Sequence, residues 1–173
     1  MDAVYYETII VGAGAAGLYC ACSLDGGAES SALVLEKNKK AGRKLLMTGN
    51  GRCNVTHGGS IKEFMTHYAD KGRRIRGILQ RYNNRQLCDF LESIGVPLTE
   101  REDGKVFPAS MASADVLNAL LREIKRKGIA AEYESEVIRI EPFAGGEKAS
   151  ESRFTIYTPK KSYRCQNLVI ATG

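Results

Sequence analysis

Thr8-Ile9-Ile10-Val11-Gly12-Ala13-Gly14-Ala15-Ala16-Gly17 sets an apolar run directly ahead of three glycines in G-x-G-x-x-G spacing. Read in order, it predicts a buried strand, a tight turn and a helix start. The spacing has a mechanical reason. Gly12 permits the turn, Gly14 lets a pyrophosphate approach the backbone, and Gly17 lets helix and strand pack closely. The phosphates then meet unpaired N–H groups at the helix N-terminus. Ala32-Leu33-Val34-Leu35-Glu36 follows as a second buried strand ending in a carboxylate. That acid comes about twenty residues after the glycines, where it can accept hydrogen bonds from ribose hydroxyls. Taken together, the three features predict an adenine-dinucleotide site in preference to a merely structural strand–helix turn.

The chain has 173 residues, 43% hydrophobic and 26% charged, ordinary for a soluble globular domain with one well-buried core. Its apolar runs are too short to span a bilayer, and it opens on Asp2 and a strand instead of a basic, hydrophobic leader. A cytoplasmic protein is therefore expected. Five scattered cysteines without a C-x-x-C pair, beside only two histidines, argue against a disulfide framework and a structural metal site. The net charge of +5 suits nucleic acid, but a diphosphate cofactor also calls for a basic mouth.

Outward from the glycines, Ala15 to Ser23 suits a helix lying close to a sheet, with Asp25-Gly26-Gly27 as its stop. Gly42 to Asn54 is rich in glycine and charge and reads as a long ligand-facing loop. Residues 61–95 switch to helical period, a helical excursion from the sheet carrying Arg73, Arg74, Arg76, Arg81 and Arg85. With no interleaved aromatics, a solvated face is favoured for these arginines over a nucleic-acid face. Val96 to Glu100 and Lys105 to Pro108 are short extended pieces. Ser113 reads as the N-cap of a helix running to Gly128 that should pack on the sheet. Ile129 to Tyr133 reads as the next parallel strand. Glu136 to Ile140, Arg153 to Tyr157 and Lys161 to Cys165 read as a β-meander over about 136–165, with Ala144 to Ser150 as a polar connection. A last apolar strand ends in Ala171-Thr172-Gly173.

The fingerprint, the stretch Gly42-Arg43-Lys44-Leu45-Leu46-Met47-Thr48-Gly49-Asn50-Gly51-Arg52-Cys53-Asn54-Val55-Thr56, the segment Gly104-Lys105-Val106-Phe107-Pro108 and the terminal Ala171-Thr172-Gly173 together resemble one group. It is the bacterial NAD(P)/FAD-dependent oxidoreductase family that includes proteins called aminoacetone oxidase and the bile-acid reductase BaiN. The resemblance implies an α/β, Rossmann-like, glutathione-reductase-type FAD domain. Gly12, Gly14, Ala15, Ala16 and Gly17 would surround the pyrophosphate, Glu36 with Lys37 beside it would hold the adenosine ribose, and the backbone near Val137 would lie against the adenine. Arg43 and Lys44 would contact phosphate or ribose oxygens. Gly49, Asn50, Gly51, Arg52, Cys53 and Asn54 would run on toward the flavin, and Ala171, Thr172 and Gly173 would close the site. The resemblance holds for the N-terminal part of such proteins, without their substrate domain or closing FAD segment, so residues 1–173 by themselves are expected to be inactive. NAD(P)H is the implied co-substrate and a small molecule the implied substrate, with nucleic acid and membrane not expected as partners.

No catalytic side chain emerges. Cys53 admits a redox or nucleophilic role if a basic, glycine-rich setting lowers its pKa, but a packed side chain is favoured, with no resolving cysteine near in sequence. His57 admits acid–base work near a flavin, whereas His67, Cys20 and Cys22 read as structural. Tyr5 and Tyr6 are read as lying ahead of the first strand. A nicotinamide-only Rossmann dehydrogenase, a non-catalytic nucleotide-binding module and a basic RNA-associated protein remain as alternatives.

Overall fold

The computed structural model describes residues 3–25, 31–66, 68, 72–143 and 152–173. The expected helix stop at Gly26 and Gly27, the reading of His67 and the Ala144 to Ser150 connection lie outside the described residues. The chain divides into two compact units, Met1–Leu45 with Leu120–Gly173, and Leu46–Ala119.

The first unit is built on a six-stranded sheet of order β6-β2-β1-β9-β8-β7. Its strands are β1 (Val4–Val11), β2 (Ala32–Leu35), β6 (Ala130–Glu132), β7 (Arg139–Pro142), β8 (Phe154–Tyr157) and β9 (Ser162–Ile170). β6, β2, β1 and β9 run parallel, and β8 and β7 continue the sheet antiparallel. β2 is buried at every position, as a strand covered on both faces must be. Helix α1 (Ala15–Ser23) connects β1 to β2 and buries Gly17, Leu18, Ala21 and Cys22. The core gathers Ile9, Val11, Leu33 and Leu35 with Ile156, Tyr163 and Cys165.

Three local expectations are corrected. β9 is one strand from Ser162 to Ile170, not two. The polar pair Gln166-Asn167 looks like a break, yet Asn167 stays in register with Thr8 and donates its amide to the Thr8 hydroxyl. β7 begins at Arg139, because Ser135 has turned to donate its N–H to the Glu36 carbonyl and Ile138 donates to the Tyr157 carbonyl. Tyr5 and Tyr6 lie within β1, and Tyr6 packs its ring against Tyr163.

The second unit holds a three-stranded antiparallel sheet, β3 (Thr56–His57), β5 (Lys105–Pro108) and β4 (Leu98–Glu100), in the order β3-β5-β4. β3 carries no signal in the sequence, being two residues long. Helices α3 (Ile61–Thr66), α4 (Gly72–Arg81) and α5 (Asn84–Ser93) occupy the expected helical stretch. α5 starts with a reciprocal cap in which the Asn83 side chain accepts from the Gln86 N–H while the Gln86 amide oxygen accepts from the Asn83 N–H.

α2 (Arg43–Met47) and α6 (Ser113–Arg126) each cross from one unit to the other. Within the first unit the second half of α6 lies beside α1. The Cys22 thiol faces the Leu120 carbonyl at 3.6 Å, and Lys127 just beyond α6 donates to the Leu24 carbonyl at 2.6 Å. Ser113 does not cap α6. It is buried in the first turn, and its hydroxyl donates to the Leu46 carbonyl.

Candidate functional site

Where β1 ends, the chain turns at Gly12 and enters α1 at Gly14. Gly12 has φ +108°, and a Cβ there would lie 2.5 Å from the Ala171 carbonyl oxygen, so conformation and space both demand glycine. Gly17 answers to packing alone: its Cβ would sit 1.9 Å from the Gly12 carbonyl oxygen. Gly14 differs from both. Its backbone is extended at φ −81°, and a Cβ built on it meets nothing within 4 Å. Nothing in the protein requires glycine at this position, which lies on the wall of a cavity.

That cavity, of about 470 Å³, is lined by Gly12, Ala13, Gly14, Glu36, Lys37, Asn38, Gly42, Arg43, Lys44, Val137 and Ala171 to Gly173, with Val11, Leu35, Ser135 and Glu136. The volume falls in the range of small-molecule sites. Its position at the carboxyl ends of β1, β2 and β9 is where ligands bind in open parallel sheets. Lys37, Arg43 and Lys44 are exposed on its wall, and the N-terminus of α1 adds a partial positive charge. An anion is the natural occupant.

Glu36 is buried at the end of β2 and braces the glycine turn. One carboxylate oxygen accepts from the Ala13 N–H at 2.8 Å, and the other accepts from the Asn38 N–H at 2.8 Å and from the Asn38 side-chain amide. A carboxylate has about four lone-pair sites, so these bonds leave acceptor capacity for a ligand hydroxyl. The Gly42 N–H donates to the Ala13 carbonyl, bringing Arg43 and Lys44 to the same turn. Asn38 and Ser135 escape sequence reasoning. Asn38 had a faint signal, an amide two residues after an acid. Ser135 had none, since its bond to the Glu36 carbonyl joins distant parts of the chain.

Of the residues singled out in the sequence, the structure brings Gly12, Gly14, Glu36, Lys37, Arg43, Lys44, Val137, Ala171, Thr172 and Gly173 around one cavity. Ala15, Ala16 and Gly17 lie in α1 and are not on its wall. The expected long loop is not one: Arg43 to Met47 is a turn of helix, as Arg-Lys-Leu-Leu-Met favours, and a 3-10 turn follows over Thr48–Gly51.

Gly49, Asn50, Gly51, Arg52, Cys53 and Asn54 belong to the second unit. Gly49, Asn50, Gly51 and Cys53 all have positive φ, and for Asn50 and Cys53 this is strained backbone. Arg52 donates to the Gly49 carbonyl at 3.0 Å and lies over the Phe107 ring. In the orientation that satisfies the Asn54 amide, its nitrogen donates to the Thr56 carbonyl at 2.9 Å and the Val106 carbonyl at 3.2 Å. Cys53 is buried, and burial pushes its thiol pKa up against a smaller opposing effect of Thr48. An activated thiolate at Cys53 is therefore not what this environment favours. Each ring nitrogen of His57 faces a carbonyl, of Gly58 at 2.7 Å and Asp103 at 2.9 Å. Among the described residues no group of histidine, cysteine or acidic side chains could hold a metal, and no helix is long and apolar enough to cross a membrane.

The HI0933-like protein Rossmann domain matches residues 6–173. A ribosomal RNA dihydrouridine synthase of Haemophilus influenzae is 33% identical over 170 residues, covering 98% of this chain and 40% of that protein. A 3-dehydro-bile acid delta(4,6)-reductase of Clostridium scindens is 28% identical over 167 residues, covering 95% of this chain and 38% of that protein. The chain thus spans about two fifths of the length of these relatives. Among solved structures, a 3-ketosteroid-delta4-(5alpha)-dehydrogenase from Rhodococcus jostii superposes with a TM-score of 0.61 at 15% identity, over 98% of this chain and 46% of that one. The fold is accordingly the Rossmann-like, FAD-binding α/β fold, and the chain belongs to the family of the HI0933-like protein Rossmann domain.

Proposed function

We propose that this chain is the FAD-binding portion of a flavin-dependent reductase that draws its electrons from NAD(P)H. One observation carries the cofactor reading. Gly14 lines the cavity at the N-terminus of α1, needs no glycine for packing or conformation, and leaves open the space its Cβ would fill. A pyrophosphate can reach the backbone N–H groups there.

In this reading Gly12 and Gly17 set the shape of the turn. Arg43 and Lys44 supply the charge that phosphate oxygens attract, and both are exposed on the cavity wall. Glu36 holds the adenosine ribose with its spare acceptor capacity while bracing Ala13, and Lys37 flanks it. The backbone near Val137 lies against the adenine, and Ala171, Thr172 and Gly173 line the wall beside Gly12 and Lys44. When bound, FAD would supply the hydride-transfer chemistry.

One relative is named a dihydrouridine synthase and the other a delta(4,6)-reductase, which supports a reductase over an oxidase. A cytoplasmic location suits a chain whose five cysteines are all free. The test is direct. The intact protein of which this chain is the proposed FAD-binding portion should release FAD on denaturation, and its bound flavin should bleach near-stoichiometrically when NADPH or NADH is added without oxygen. Flavin that neither nicotinamide reduces would remove NAD(P)H from the proposal, and a flavin-free protein with no affinity for FAD would remove the whole of it.

A further inference from the structure

α4 spends its outer surface on one sign of charge. Ile75 and Leu79 are half-buried, while Arg73, Arg74, Arg76 and Arg81 are exposed, as is Arg85 at the start of α5. None of these five forms an ion pair among the described residues. Arg73 and Arg74 sit in the first turn of a helix with no acid there, against the helix dipole, and Arg73 faces Arg76 one turn on. An ordinary solvated helix face mixes its signs; this one accumulates unfavourable placements.

The glycine in its middle is the second observation. Gly77 is exposed within the helix, and a Cβ there would meet nothing within 4 Å. Gly72 on the same helix has a packing reason, since its Cβ would lie 2.6 Å from the Met65 carbonyl oxygen; Gly77 has none. An interior glycine costs a helix about 1 kcal/mol relative to alanine. Its helical neighbours at three and four residues are Arg73, Arg74, Gln80 and Arg81, so three guanidiniums and an amide frame a bare patch of backbone. Such a frame admits a tetrahedral oxyanion close to the helix axis, with donors on several sides. Ile78, 66% exposed, adds an apolar edge beside it.

We propose that this face of α4, extended by Arg85, docks the phosphodiester backbone of RNA, with one phosphate seated over Gly77. The choice of RNA among polyanions rests on the reading above, that this chain serves a reductase of the kind its relatives' names describe, one of them acting on ribosomal RNA. With no aromatic side chain in the frame, binding reads phosphates and not bases, so it is salt-dependent and tolerant of sequence.

The experiment is fluorescence anisotropy of a labelled RNA hairpin with the purified protein at about 50 and 200 mM salt, beside its flavin content and melting temperature. Arg73→Gln/Arg74→Gln/Arg81→Gln should weaken RNA binding at least about tenfold at the lower salt and flatten the log–log salt slope by about 2, near 0.7 for each lost contact. Gly77→Glu should weaken binding similarly, and Arg122→Gln/Lys125→Gln on α6 should not. FAD binding should be unchanged in all three and none should melt lower than the parent, with Gly77→Glu melting slightly higher because it removes an interior helix glycine.

Equal RNA binding by the triple variant overturns the proposal, as does an equal loss in the α6 control. Arginine-dependent binding to anionic vesicles but not to RNA makes the face a membrane contact, and no binding to either, in a flavin-loaded protein, makes it a seat for another polypeptide segment; both outcomes overturn it. A protein that binds RNA through α4 yet has no affinity for FAD would leave this surface standing and remove the flavin reading alone.

Discussion

Replacing Gly14 by alanine separates a ligand role from a structural one. At φ −81° and ψ −173° the position accepts any side chain, and the added Cβ meets nothing within 4 Å. Alanine caps a helix less well than glycine but restricts the unfolded chain, and the two effects cancel to within about 1 kcal/mol. The melting temperature should therefore move by no more than about 4 °C. FAD affinity should fall much further, because the methyl group occupies the space through which a phosphate reaches the N–H groups of α1. Loss of one charge-assisted backbone hydrogen bond, about 1.5–3 kcal/mol, corresponds to about a 10- to 150-fold rise in Kd. The assay is titration of flavin-stripped protein with FAD, followed by flavin fluorescence, beside thermal melting of the same samples. An unchanged Kd at unchanged melting temperature would refute the placement of the phosphates. A large fall in melting temperature would refute the claim that Gly14 is free of packing duty.

Gly17→Ala should show the opposite pattern: its Cβ would press 1.9 Å from the Gly12 carbonyl oxygen, so strain of about 1–3 kcal/mol should lower the melting temperature even without ligand. Glu36→Gln places an NH2 group against the N–H of Ala13 or of Asn38, which should cost about 1–3 kcal/mol in stability by denaturant titration and weaken FAD binding as well. Burial pushes the Cys22 and Cys165 thiols up to about 11, so in native protein at pH 8 a thiol reagent should label them at least about 100-fold more slowly than after unfolding. Burial, and a hydrogen bond to Glu132 at 2.7 Å, hold the Tyr163 phenol above its ordinary range. A group whose pKa is raised on folding stabilises below its unfolded value, so that contribution should be intact to about pH 10 and lost above it. Tyr163→Phe should flatten this alkaline decline in a pH series of denaturant melts.

The parts of the fold legible in the sequence are those set by local pattern. Apolar β1 and β2, the glycine turn between them and the carboxylate ending β2 lie within forty residues and can be read in order. The long strand β9 was not legible as one piece, because Gln166 and Asn167 are polar for a reason outside the strand: Asn167 finds its partner in Thr8. The helical turn over Arg43 to Met47 was masked by the glycines and charges around it. In the site, Gly12, Gly14 and Gly17 share one motif, yet the structure separates them into a residue fixed by conformation, one fixed by packing, and one free of both. The bracing of Glu36 by Asn38 and the approach of Ser135 depend on how the strand ends meet, which spacing along the chain does not encode. For Cys53 the packed side chain favoured from sequence agrees with its burial, which raises the thiol pKa instead of activating it.

The central claim is that the cavity at the ends of β1, β2 and β9 holds the ADP half of FAD. Titrating flavin-stripped protein with FAD and displacing it with ADP measures this directly. Saturation at one FAD per chain, with ADP competing for the same site, is the predicted result. FAD binding that ADP leaves untouched, or no binding of either, would contradict it.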